Sequence, residues 1–214
     1  MSRLIDIGLE RLSNILYKMG DLAKETVSLS FDCYTKKVED HAKVQLGSQN
    51  LVFLSETIED QAVELIARYQ PVASDLRTIK SYMKIAYDYS RCGRYAWDIT
   101  FTHKRLNIDL ADCKLPELPL DEMSEKVLEM VDKSVEAVRK HDIDLAQTLS
   151  KMEQEIDDMY IKSLDKLTEP LPISAKCVVA NLLFVRHLER IADHASYIGE
   201  AVIYIVTGER VILR

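Results

Sequence analysis

The chain has 214 residues, a formal charge of −7, 47% apolar residues and only 6 glycines and 5 prolines. A net acidic chain without a basic stripe argues against a dedicated nucleic-acid binder. Its apolar content is enough to bury a core, and scarce Gly and Pro favour long helices. The longest strongly apolar run, Ala201 to Val206, is too short to span a bilayer, and Met1 to Leu12 carries Arg3, Asp6, Glu10 and Arg11, unlike a secretory signal. The expected setting is cytoplasmic, peripheral to a membrane at most. Cys33, Cys92, Cys113 and Cys177 form no CxxC pair, so they are expected to be separate buried thiols in a reducing compartment.

In chain order, helical periodicity predicts a first helix from about Leu12 to Lys43, broken near Gly47. A second runs from about Gln49 to Tyr69 and stops before Pro71, and a third covers about Ala73 to Arg105. The stretch Leu106 to Leu120, with Pro116 and Pro119, reads as a linker. Beyond it lie helices over about Asp121–Lys140, Ile143–Thr168 and Ile173–Thr207, with Asp121 and Asp142 as expected caps and Gly208 as a stop. An offset of about 100 residues superposes Pro71 on Pro170, Arg91 on Arg190, Ala96 on Ala195 and Ile99 on Ile198, which indicates duplication. The expected fold is all-α: two tandem three-helix bundles related by internal duplication, over residues 1–107 and 121–214, with a linker at 108–120.

At about 100° per residue, Phe184, Leu188, Ala195, Gly199 and Val202 gather on one arc of the last helix, with Val185 and Ala192 at its edge. Glu189, Asp193 and Glu200 share one border of that arc. Glu153 and Asp157 border the apolar arc of Leu149, Met152, Ile156 and Met159 on the helix before it. Carboxylates at i and i+4 are neighbours that repel unless a cation sits between them. If these helices are adjacent, Glu153, Asp157, Glu189 and Asp193 converge on an oxygen-rich site suited to magnesium, manganese or iron. The plainer reading is a solvated acidic face neutralised by Arg186 or Arg190. His187 and His194 fall about 120° or more from the Glu189/Asp193 edge and read as surface or interface residues rather than ligands. Tyr87, Tyr89, Tyr95 and Trp97 read as core or interface packing.

The segment Arg186 to Glu200, RHLERIADHASYIGE, resembles the last-helix signature of the PhoU family. QPVASDLR (Gln70 to Arg77), EQEIDDMY (Glu153 to Tyr160) and the linker LPELP (Leu115 to Pro119) are similar to family segments in the same order. The resemblance covers nearly the whole chain. It implies two tandem three-helix bundles, often dimeric, and negative regulation of phosphate uptake through a phosphate ABC transporter and its sensor histidine kinase. It also implies metal clusters, iron first, otherwise manganese, magnesium or zinc, held by Glu/Asp-x-x-x-Asp motifs. Glu153, Asp157, Glu189 and Asp193 match those motifs. The first half departs from them, with Ser90 and Arg94 at the third-helix positions and Ser55 and Glu59, or by a one-residue shift Glu56 and Asp60, at the second-helix positions. Only the second half is therefore expected to keep a cluster. The competing classes are a metal-dependent hydrolase on a carboxylate-rich bundle and a purely structural helical scaffold. No phosphate loop or nucleophile elbow is present, and no His follows an acidic residue by three positions, so the expectation is a non-enzymatic adaptor.

Overall fold

The computed structural model describes residues 4–36, 38–107, 113, 118–170 and 174–213. Six helices account for almost all of them: α1 (Leu4–Thr35), α2 (His41–Tyr69), α3 (Ala73–Leu106), α4 (Leu120–Lys140), α5 (Ile143–Thr168) and α6 (Ala175–Thr207). No strand occurs among the described residues. Nine residues of the expected linker, 108–112 and 114–117, lie outside the description.

Helix ends follow local chemistry. Asp142 caps α5 by accepting a hydrogen bond from the Leu145 N–H at 2.9 Å, and Ser174 caps α6 by accepting from Cys177 N–H. Gln70, Asn107, His141 and Gly208 close α2, α3, α4 and α6 in the left-handed conformation, each returning its N–H to the carbonyl four residues back.

Three local expectations are corrected. The first helix ends at Thr35, and α2 begins at His41, so Gly47 is not a break but lies inside α2. There a Cβ would strike the Thr26 side chain of α1, so the glycine permits close approach of the two helices. Asp121 sits in the first turn of α4, whose N-cap is Pro119. The four cysteines are not all thiols: Cys113 and Cys177, 64 residues apart, form a disulfide, which spacing alone does not reveal. Cys33 and Cys92 are free and buried, and burial raises both thiols above their ordinary range.

The apolar interior does not divide at the linker. One cluster joins Leu16, Ile58, Ile79 and Ile85 to Val138, Ile198 and Val202; the other joins Phe31, Tyr34, Val44 and Ile99 to Met130, Ile156, Phe184 and Leu188. Both clusters thus draw on both halves of the chain. The most extensive helix–helix contact is between α3 and α6. Because α3, α4 and α5 all pack against it, α6 is buried well beyond its expected stripe, including Ile191, Ile198, Ile203 and Ile205. Phe184 of α6 stacks on Tyr34 of α1 with ring centroids 3.9 Å apart and meets Phe31 edge-on at 6.0 Å.

Phe184→Ala is expected to destabilise the protein by about 3–5 kcal/mol in chemical denaturation, since it empties a fully packed position. The solvent-exposed Phe53→Ala should change stability by no more than about 0.5 kcal/mol.

Candidate functional site

The helix pair α5–α6 carries the four carboxylates singled out in the sequence. Glu153, Glu189 and Asp193 are buried, and Asp157 is half-buried. Their spacing of four residues along each helix places each pair on one face, and direct packing of α5 on α6 brings the faces together. Burial, followed by the neighbouring Asp193 carboxylate, pushes the Glu189 carboxyl above the usual carboxylate range, with Asp157 of α5 adding to the rise. Arg186 and Arg190 oppose the shift.

Those arginines are the immediate counter-ions. Arg186 Nη1 donates to Glu189 Oε2 at 2.7 Å, and Arg190 Nη1 donates to Asp193 Oδ2 at 2.6 Å. Arg186 also lies over the Tyr160 ring of α5. Among the described residues, no three His, Cys, Asp or Glu side chains stand in a geometry that would hold a metal ion. The donor chemistry of buried carboxylates suits a hard cation. With two of the four held by guanidinium groups, however, the donors are not gathered around one point. Glu200 turns elsewhere: its Oε1 accepts from Leu213 N–H at 3.2 Å.

In the first half, Ser55 and Ser90 are buried and Ser90 Oγ donates to its own helix at Tyr87 O. Glu56, Glu59, Asp60 and Arg94 are exposed. The structure brings no carboxylate pair to the α2–α3 interior at these positions.

A polar seam between α3 and α6 was not anticipated. Asp88 Oδ1 and His194 Nδ1 lie 2.9 Å apart, both side chains almost wholly buried. Asp88 Oδ2 and His194 Nε2 have no hydrogen-bond partner. The rings of Tyr87, Tyr95 and Tyr197 surround the imidazole at centroid distances of 5.4–6.4 Å. Beside this pair, the Tyr95 hydroxyl accepts from Arg91 at 2.7 Å and from Arg190 at 3.5 Å. Burial pushes the Tyr95 phenol up, but the Arg190 and Arg91 guanidinium groups more than reverse this and leave it below its ordinary value. Through Arg190, the seam reaches Asp193 and hence the carboxylate border. The placement of His187 and His194 at an interface agrees with their helical angle. The partner of His194 was hidden because it is 106 residues away. One signal did exist: Asp88 follows Ile85 by three residues and precedes Cys92 by four, so a carboxylate occupies a buried stripe.

Comparison with known proteins now places this architecture. The PhoU domain model matches residues 16–100 and again 120–202, once on each trio of helices. A phosphate-specific transport system accessory protein PhoU homolog from Clostridium acetobutylicum is 30% identical over 214 residues, covering 98% of this chain and 97% of that protein. PhoU homolog 1 of Thermotoga maritima is 32% identical, covering 92% of this chain and 87% of that protein. The crystal structure of PhoU from Pseudomonas aeruginosa superposes with a TM-score of 0.87 at 27% identity, covering 95% of this chain and 99% of that one. That of the phosphate transport system regulatory protein PhoU from Streptococcus pneumoniae gives 0.84 at 26% identity, covering 97% and 99%. The fold is thus that of a duplicated helical protein with two PhoU domains. The chain belongs to the PhoU family.

Burial comes first among the causes that raise the Asp88 carboxyl above its ordinary value; the His194 hydrogen bond opposes it. A carboxyl raised on folding stabilises the protein below its unfolded pKa and loses that contribution as pH rises through the folded pKa. Asp88→Asn, which keeps an acceptor for His194, should therefore be at least as stable as wild type at pH 7, with the difference shrinking in acid. A loss above about 1 kcal/mol at neutral pH would show instead that the contact with His194 outweighs burial. His194→Ala strips Asp88 of its partner and should cost about 3 kcal/mol in the same denaturation assay.

Proposed function

We propose that this protein is a PhoU-type accessory regulator that restrains phosphate uptake and phosphate-starvation signalling. It acts as a cytoplasmic, non-catalytic homodimeric adaptor between the components of a phosphate ABC transporter and a sensor histidine kinase. The observation that carries the reading is the match of both halves of the chain, in order, to the PhoU domain. Relatives aligned over nearly the full length bear the name of phosphate-specific transport accessory proteins, which supports the transporter as the partner system. No helix among the described residues is long and apolar enough to cross a membrane, in keeping with an accessory rather than a membrane-spanning part. A surface groove between α1 and α2, lined by Leu4, Ile7, Leu65 and Tyr69, leaves apolar side chains available for docking.

Metal binding belongs to the same proposal. Glu153, Asp157, Glu189 and Asp193 would hold a cation, iron first and otherwise manganese, magnesium or zinc. The bound ion would supply a fixed positive charge tying α5 to α6. Arg186 and Arg190 now supply that charge, so a cation competes with them for Glu189 and Asp193. Both arginine side chains are partly exposed, which leaves them room to yield to a cation.

Two measurements test this. Deleting the gene in its host should raise phosphate uptake in phosphate-replete medium, with repression restored by the wild-type copy; unchanged uptake would overturn the regulatory reading. Elemental mass spectrometry of freshly purified protein should find metal that is lost in Glu189→Ala/Asp193→Ala and retained or increased in Arg186→Gln/Arg190→Gln. Metal content unaffected by either variant would remove the site from α5–α6.

A further inference from the structure

A cavity of about 230 Å³ lies apart from the carboxylate border, where α3, α6 and the C-terminal segment after Gly208 meet. Lys80, Ser81 and Lys84 line it from α3, Glu200 and Tyr204 from α6, and Arg210 from the segment that follows. Lys80 with Lys84, and Glu200 with Tyr204, follow the i, i+4 spacing that puts side chains on one face, and Ser81 lies three residues before Lys84. The C-terminal segment is held against α6 and the core: Glu200 accepts from Leu213 N–H, and Leu213 is buried. Just before it, in the last turn of α6, the Ile205 carbonyl accepts from Arg77 of α3 at 3.1 Å. Arg210 is thereby kept at the cavity, where its guanidinium stands over the Tyr204 ring at 5.6 Å.

Three cations face one carboxylate here, a surplus of two positive charges on a chain whose net charge is −7. Of these cations Glu200 pairs with Lys84, at 3.5 Å, and Lys84 also leans over the Tyr197 ring. Neither Lys80 nor Arg210 pairs with a carboxylate among the described residues. Ser81 is the second, independent observation. Its side chain is 3% exposed and its hydroxyl has no partner. Ser30, Ser90, Ser134 and Ser163, buried in their helices, each donate to a carbonyl three or four residues back. Ser81 makes no such bond, and a buried hydroxyl left unpaired is costly.

From this arrangement we infer that the cavity is a binding site for a phosphate-sized oxyanion, either free orthophosphate or the phosphoryl group of a small monoester. Lys80, Lys84 and Arg210 neutralise the ligand, and rotation of Ser81 about its Cα–Cβ bond supplies a hydroxyl donor. Because Arg210 lies beyond the end of α6, an anion bridging it to Lys80 fastens the C-terminal segment to α3. The site does not depend on the regulatory reading or on metal at α5–α6.

Calorimetric titration of the full chain with inorganic phosphate, and in parallel with glycerol 3-phosphate, at physiological salt tests it. Saturable binding of one equivalent of either probe is expected. Lys80→Gln and Arg210→Gln should each weaken it about tenfold, as expected for loss of one charge-assisted hydrogen bond. Both side chains are exposed, so the thermal midpoint should hold. Ser81→Ala should weaken binding without lowering the midpoint. Binding of both probes assigns the site to the phosphoryl group in general; binding of the monoester alone identifies an esterified ligand. No saturable binding of either probe, or binding unchanged in Lys80→Gln/Arg210→Gln, overturns the inference.

Discussion

The structure depends on the packing of α3 along α6. These are the longest helices, 34 and 33 residues, and each belongs to a different copy of the duplicated unit. Both helices bury small residues: Ala86, Cys92 and Ala96 on α3, and Ala192, Ala195 and Ala201 on α6. Cys92 Sγ comes within 4.0 Å of the Ile191 carbonyl. Such a seam removes polar groups from water on both sides, and those groups must find partners within it. Asp88 and His194 pair directly, while Arg91, Tyr95 and Arg190 form a chain beside them. Both interior clusters then cross from one copy to the other, so a perturbation of α6 reaches residues on α1 through Phe184 and Tyr34.

The carboxylate border owes its character to this same burial. On an exposed helix, Glu189 and Asp193 would be an ordinary acidic edge, with a modest interaction with Arg186 and Arg190. Buried on α6, the two acids repel each other at reduced screening, and Asp157 of α5 adds to the repulsion. Guanidinium groups three residues earlier and one turn away relieve part of that load. The border is consequently built around a positive charge. Its two arginines supply that charge, and one of them, Arg190, is shared with Tyr95 of the other copy. The border is thereby tied to the α3–α6 seam.

The two copies have diverged along physical lines. Positions that carry Glu189 and Asp193 in the second copy carry Ser90 and Arg94 in the first, where Ser90 bonds to its own backbone and Arg94 faces solvent. The first copy contributes instead the partners that the second needs: Asp88 for His194, and Arg91 with Tyr95 for Arg190. Duplication supplied two similar scaffolds, and their mutual packing allowed the polar functions to be split between them.

Much of this was legible in the residues. Helical periodicity, the aspartate before Ile143, the Gly at 208 and the breaks at Pro71 and Pro170 are local signals, because backbone hydrogen bonding and capping involve residues a few positions apart. The i, i+4 carboxylates and their neighbouring arginines were visible for the same reason. The gap between α1 and α2 was misplaced because Gly47 looks like a breaker, yet its role is to admit Thr26 of another helix. The pairings of Cys113 with Cys177 and of Asp88 with His194, and the meeting of Lys80 with Arg210 around one cavity, were decided by tertiary structure alone. They join residues from 64 to 130 positions apart, and only the packing of separate parts of the chain against α6 brings such distant side chains within reach of one another.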